Sequence, residues 1–297
     1  MNQSNIYAFG TVFLWASGFV FTKVVLTYFS ASAVGVFRYL FASLFLLGVA
    51  FVKKIGLPKP QDIPGFFLSG ATGFTLYMIT FNKASLLLSS ATNSIIAATG
   101  PIITAILARY YFKENINTVG WLAIIIEFAG ISILALWDGV FSFNVGILWM
   151  LAAAFFISIY NLLQRYHTKK YTALQSTTYS VFAGTILLLI YLPESIPQLL
   201  SAPAKQLLLI VYLGVLPSAI AFIWWSKALS LAGHTSEVTN FMFLIPLISM
   251  IMGYLVIMER PTAATLIGGS IIMFGLILFN TTHHKEGVPS GENSLLR

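Results

Sequence analysis

The sequence predicts an all-α integral membrane protein with ten transmembrane helices in two inverted five-helix repeats. Three observations predict it. The 297-residue chain is 58% hydrophobic and 8% charged, with mean hydropathy +0.87, whereas a soluble domain carries about a quarter charged residues. Its apolar runs approach the roughly 20 residues that a bilayer-spanning helix needs. One stretch is also spoken twice: Gly70, Lys83-Ala84, Pro101, Glu114 and Gly130 recur in order as Gly214, Lys227-Ala228, Pro246, Glu259 and Gly275. The second copy has one extra residue before its proline.

The ten runs cover roughly residues 6–26, 33–52, 63–80, 92–112, 119–136, 145–163, 173–192, 206–225, 237–257 and 263–279, numbered helices 1 to 10. Short connections make neighbours antiparallel. The break between Pro193 and Lys205 carries three prolines and is expected to hold a short interfacial helix. The first run lacks a basic leader region and reads as a retained helix. The repeats are expected at residues 5–137 and 145–281, followed by a disordered cytoplasmic tail at 282–297.

Lys and Arg set the orientation. With the N-terminus inside, only Lys23, Lys83, Lys205 and Arg260 fall outside, and Arg38 lies within helix 2. The other eleven basic residues are inside, so both termini are expected in the cytoplasm. The same bias explains the net charge of +7. No basic segment with interleaved aromatics accompanies it, so nucleic acid is not an expected partner. Five helices per half is an odd number, so the halves enter from opposite sides. Such inverted repeats exchange conformations around a central site, which is the basis of alternating access.

Gly/Pro-interrupted segments at corresponding places mark that site. Gly70 and Gly73 in helix 3 match Gly214 and Pro217 in helix 8, and Pro101 in helix 4 matches Pro246 in helix 9. These six are hinge candidates; close packing is the competing reading for each glycine. Helix 1 stacks Thr11, Trp15, Gly18 and Thr22 on one face. Trp15, Tyr77, Asn93, Tyr160, Asn161 and Asn240 are the expected substrate-binding residues, giving stacking faces and hydrogen bonds to a polar end. Trp224 and Trp225 are expected in the interfacial belt.

Glu127 within helix 5 and Arg38 within helix 2 are intramembrane charges, functional candidates by default. Glu127 is a candidate proton carrier, because a low dielectric favours the protonated carboxyl. Its bland reading is a structural contact, including a pair with Arg38. Ile272 aligns with Glu127 in the second half, so symmetry gives the proton role no support. Glu114 and Glu259 are expected at the N-terminal ends of helices 5 and 10.

Catalysis finds no foothold. The chain has no Cys, and its four histidines form no His-Glu-x-x-His motif. Neither a nucleophile elbow nor a Gly-rich nucleotide loop is present. No catalytic residue, metal site or cofactor is expected.

FGTVFLWASGFVFTK in helix 1, FRYLFASLFLL in helix 2 and the paired endings GPIITAILARYYFKENINTVGWLAIIIEFAGISIL and IPLISMIMGYLVIMERPTAATLIGGSIIMFGLIL resemble the drug/metabolite transporter superfamily, in its EamA branch. The resemblance covers Asn5 to Asn280. It implies ten helices, a cavity lined by helices 1, 3, 4, 6, 8 and 9, and peripheral helices 5 and 10. It further implies export of small solutes, often amino acids or related metabolites, across a bacterial inner membrane. The expected partners are therefore a small-molecule substrate and the lipid bilayer, for a monomer or weak homodimer. Three readings compete with a metabolite exporter. One is a proton-coupled multidrug exporter. Another is an enzyme acting on lipid or peptide, which converging ionisable side chains would mark. The last is a receptor or complex subunit without a cavity.

Overall fold

In a computed structural model the chain is described at residues 3–113, 116–137, 144–231, 238 and 240–286. Every regular element among them is helical. Helix 1 is Gln3–Val25, helix 2 Ala31–Val52, helix 3 Pro60–Leu87, helix 5 Thr118–Leu136, helix 6 Val145–His167 and helix 10 Ala263–Glu286. Helix 4 is split into Ser90–Ala97 and Gly100–Phe112. Helix 7 is Ala173–Leu188 and runs through a tight turn into Leu192–Leu200, the segment expected as a separate short helix. Helix 8 is Ala204–Val215, Leu216–Ile220 and Ala221–Leu231; helix 9 is Asn240–Phe243 and Leu244–Ile257. Seven helices are long and apolar enough to cross a bilayer, and helices 5, 9 and 10 supply shorter apolar segments.

Helix 10 outlasts the sequence expectation. It continues to Glu286, five residues into the polar stretch read as tail, because a formed helix extends cheaply until a breaker intervenes and the first one is Gly287. Residues 287–297 lie outside the described residues.

The packing repeats with the sequence. Helix 1 lies on helices 8 and 9 as helix 6 lies on helices 3 and 4. Helix 3 packs on helix 7 as helix 8 packs on helix 2, while helices 5 and 10 pair with each other. Each swap exchanges one half for the other, so the repeat is one of tertiary structure.

The interrupted segments are wide turns at matched positions. Residues Ala71–Leu76 of helix 3 and Leu216–Ile220 of helix 8 are π-helical, immediately after the aligned Gly70 and one residue after Val215, which follows Gly214. A π-turn loosens the regular backbone ladder and commonly marks functional positions. Side-chain hydroxyls reach back across both turns: Thr75 Oγ1 donates to Gly70 O (3.4 Å) and Ser218 Oγ to Leu213 O (2.8 Å). Both glycines meet a neighbouring backbone. A Cβ on Gly70 would stand 2.8 Å from Ser180 O and nearer still to the Gly184 backbone; one on Gly214 would stand 2.6 Å from Arg38 O. These contacts equate Arg38 of helix 2 with Ser180 of helix 7.

Proline explains the other interruptions, because it removes a donor and disfavours helix in the preceding residue. The α-helix of helix 4 stops at Ala97 and resumes at Gly100, with Pro101 in its first turn. Helix 9 passes from a 3₁₀ turn to α-helix at Leu244, two residues before Pro246. Helices 4 and 9 end alike, on left-handed Lys113 (φ 57°) and Met258 (φ 55°).

Gly70→Ala and Gly214→Ala are expected to destabilise the detergent-purified protein by about 1–3 kcal/mol each, the usual cost of overpacking. Gly48→Ala, which meets nothing within 4 Å, is the control. Thermal unfolding followed by gel-filtration recovery checks all three.

Candidate functional site

The helix-1 face read from sequence points at helix 8. Thr11 Oγ1 donates to Ala221 O (3.3 Å), Gly18 lies against Pro217, and Thr22 is fully buried. Trp15 meets the rings of Phe222 (centroids 5.6 Å apart) and Trp225 (5.2 Å). Trp224 covers Gly10 and meets Tyr7. Both tryptophans expected in the interfacial belt are therefore half-buried on helix 1; Gly10, lacking a side chain, leaves room for the Trp224 ring.

Phe222 and Phe74 join the two halves. Phe222 reaches Phe74 (6.4 Å), and Phe74 meets Tyr160 and Tyr39 edge-on (5.1 Å each). Trp15 and Tyr160 thus belong to one aromatic column. Tyr160 lies over Gly73 as Pro217 lies over Gly18, another matched contact. Phe74 and Phe222 escaped the sequence reading because residue type gave no signal among 25 phenylalanines.

The remaining candidates are dispersed. Tyr77 stacks on Phe81, which meets Phe19. Asn93 is buried; its Nδ2 donates to Ser85 Oγ (3.1 Å), while its Oδ1 has no protein partner. Asn161 is exposed and its Nδ2 reaches Thr104 Oγ1 at 3.4 Å. Helix 9 holds Asn240 in its first described turn, and the side chain of Asn240 lies outside the described residues, as do Glu114 and Glu237.

A cavity of about 190 Å³ opens between helices 2, 7 and 8, lined by Leu46, Ala173, Leu174, Thr177, Ala219, Phe222, Ile223 and Lys227. Phe222 connects it to the aromatic column. Polar side chains edge it: Gln164 Nε2 donates to Thr177 Oγ1 (2.9 Å) and Ser176 Oγ to Gln164 Oε1 (2.6 Å). Beyond it, at the same end of the bundle, Asp62 accepts from Lys170 Nζ (2.9 Å) and Tyr171 Oη (2.7 Å), tying the first turn of helix 3 to the loop after helix 6.

The opposite end is sealed by charge. Lys23, at the last turn of helix 1, forms an ion pair with Glu259 and donates to Leu88 O (3.0 Å). The second Glu259 oxygen accepts from Ser90 N (2.7 Å) at the start of helix 4. Glu259 was expected to serve helix 10, but that N-terminus is capped by Thr262, whose Oγ1 accepts from Thr265 N (3.2 Å). A loop carboxylate is free to choose, and Lys23 draws it to helix 4.

The two intramembrane charges do not pair. Glu127 is 3% exposed, packed against Gly275 between helices 5 and 10, and its Oε1 has no protein partner. Arg38 belongs to the centre: Nε donates to Ser218 Oγ (2.6 Å) and Nη1 to Thr22 Oγ1 (3.2 Å). Among the described residues no group of three or more His, Asp or Glu side chains is placed to hold a metal ion.

With this geometry in view, the family follows from comparison. The model of the EamA-like transporter family matches residues 3–136 and 144–281. The chain belongs to the EamA-like transporter family. It is 34% identical over 264 residues to "Uncharacterized transporter YdfC" of Bacillus subtilis, covering 89% of this chain and 86% of that one. It is 27% identical to the "Probable terminal-alkyne amino-acid exporter" of Streptantibioticus cattleyicolor, covering 91% of each. It is 26% identical to the "S-adenosylmethionine uptake transporter" of Rickettsia felis, covering 86% of this chain and 84% of the other. A solved crystal structure superposes with TM-score 0.62 at 17% identity, covering 94% and 97% of the two chains, a likeness of fold. The protein is thus a multi-pass membrane transporter of the EamA type.

Glu259→Gln is expected to loosen the Lys23 end, because it removes the ion pair and weakens the bond to Ser90. The chain has no native cysteine, so a single Ser85→Cys reports access cleanly. Its labelling by a membrane-impermeant maleimide should rise about tenfold in the Glu259→Gln background, as expected for losing a charged hydrogen bond.

Proposed function

We propose that this EamA transporter exports small metabolites, amino acids or related compounds, across a bacterial inner membrane by alternating access. One observation carries the reading: a single conformation is tied by an ion pair at the Lys23–Glu259 end and holds a cavity at the Lys227 end, within halves whose packing is matched pair by pair. Exchange of the two packings would seal one end and open the other.

Both termini are placed in the cytoplasm, which makes the Lys227 cavity the cytoplasmic entrance and the conformation inward-facing. Residues 5–137 and 145–281 are the two halves that exchange. Trp15, Tyr77 and Tyr160 supply the stacking surface; Asn93, Asn161 and Asn240 supply polar contacts as the solute passes. Gly70, Gly73, Pro101, Gly214, Pro217 and Pro246 lie in or beside the wide turns and helix breaks at which the halves would re-form. The printed names of two relatives support an amino-acid-like cargo, since S-adenosylmethionine also carries an α-amino carboxylate. Glu127, between helices 5 and 10, is left out of the route. A proton-coupled drug exporter would need a carboxyl on it, and among the described residues the central column has none.

Purified protein in liposomes is expected to accelerate flux of at least one amino acid over empty vesicles. Trp15→Ala should cut that flux about tenfold, in line with a lost aromatic contact of roughly 1.5 kcal/mol. Absence of flux across a broad amino-acid panel would sink the exporter reading; unchanged flux in the variant would remove Trp15 from the route.

A further inference from the structure

We propose that Arg38 is the anchor for the substrate's carboxylate, so that the transporter selects anionic or zwitterionic solutes over their neutral or amidated counterparts. The proposal deepens the exporter reading and rests on it for the route, though not for the binding chemistry.

Arg38 is 8% exposed within a membrane-spanning helix. Its recorded partners are two hydroxyls, on Ser218 and Thr22. A guanidinium has five N–H donors in a planar fork matched to a carboxylate, and these two bonds use only Nε and one Nη1 hydrogen. Among the described residues no carboxylate reaches it: Glu259 is held by Lys23, Asp62 by Lys170, Glu194 by Ser32, and Glu127 sits between helices 5 and 10. Intramembrane cations otherwise pair with an acid or mark a substrate path.

The position fits a path. Nη2 lies beside Gly18, where even an added Cβ would be 3.7 Å away. One turn along helix 1 is Trp15, and one turn along helix 8 from Ser218 is Phe222, a wall of the open cavity. A solute entering past Phe222 would meet an aromatic surface first and the free guanidinium edge beyond it. An apolar side chain on Trp15 and Phe222 with a carboxylate on Arg38 describes an α-amino acid. The corresponding position in the other half is Ser180, so the two halves together supply a single cation here.

The test uses full-length protein and three matched pairs: phenylalanine, leucine and methionine with their amides. Binding of each tritiated acid is measured by scintillation proximity on detergent-purified protein, and flux is measured in liposomes. At least one acid should bind about tenfold or more tighter than its amide, as a charge-assisted hydrogen bond predicts. Arg38→Gln should abolish that preference, while Arg38→Lys, which keeps the charge but not the fork, should retain most of it. A purely structural pin predicts the reverse for lysine: loss of fold or binding without any change in acid-over-amide ratio. Equal binding of acid and amide by wild type, or no acid bound at all, overturns the proposal. Flux with no acid preference overturns it and leaves the exporter reading standing; Arg38-dependent binding without flux does the opposite.

Discussion

Everything in this bundle depends on two backbone-to-backbone contacts. Gly70 against helix 7 and Gly214 against helix 2 bring helices together more closely than any side chain allows. In a bilayer, apolar side chains gain little by leaving lipid for protein, so association rests on close packing and interhelical hydrogen bonds. Each contact is followed by a π-turn, and a hydroxyl within each turn reaches back to a carbonyl ahead of it, Thr75 to Gly70 and Ser218 to Leu213. The wide turn swings the next residues inward. Phe74 lies within one π-turn and Phe222 directly beyond the other, and their rings meet at the centre. The aromatic column is thus a consequence of where the backbone had to widen.

The fold was legible because bilayers impose few choices. Apolar run length, loop charge and a repeat in rare residue types pointed to ten helices in two inverted repeats, though not to which helices pack together. The landmarks kept in register were those with backbone consequences: Gly70 and Gly214 at the contacts, Pro101 and Pro246 after the breaks. The site was less legible for the complementary reason. Trp15 and Tyr160 stood out by type and do share a column, but Phe74 and Phe222, which connect them, look like ordinary lipid-facing residues in sequence. Asn161 stood out equally, and it lies apart from that column, exposed and reaching Thr104. Helix 10 ran past its expected end because composition registers polarity, while helix continuation depends on the next breaker.

The charges show why each local environment needs a separate reading. Lys23 and Glu259 satisfy each other, and Glu259 also closes an N–H at the start of helix 4. Three chain segments distant in sequence meet at that carboxylate, so the seal is cooperative: losing one arm frees the others. Arg38 meets only neutral hydroxyls. A buried charge is costly without compensation, and two hydroxyl bonds leave much of a guanidinium unused. Spacing could not distinguish these cases, since Lys23, Arg38 and Glu127 all interrupt apolar sequence.

The pairing of helices 5 and 10 limits where motion can occur. Their faces interlock through small residues, with Gly130 beneath Ile272, Gly268 against the Gly130 carbonyl and Gly275 over Glu127. Both helices come from the same position in their repeats, so this contact maps onto itself when the halves exchange roles. A self-equivalent contact needs no rearrangement during alternation. Helix 1 against helices 8 and 9, by contrast, maps onto helix 6 against helices 3 and 4, and in the proposed exchange any difference between those two packings would be traded. The present conformation contains such a difference: helix 1 is fastened at its end to Glu259, and a cavity separates helix 8 from the start of helix 7. In the alternating-access exchange we propose, motion would fall to helices 1 to 4 and 6 to 9. Glu127, buried in the self-equivalent contact, would stand on the part of the structure that such an exchange leaves in place.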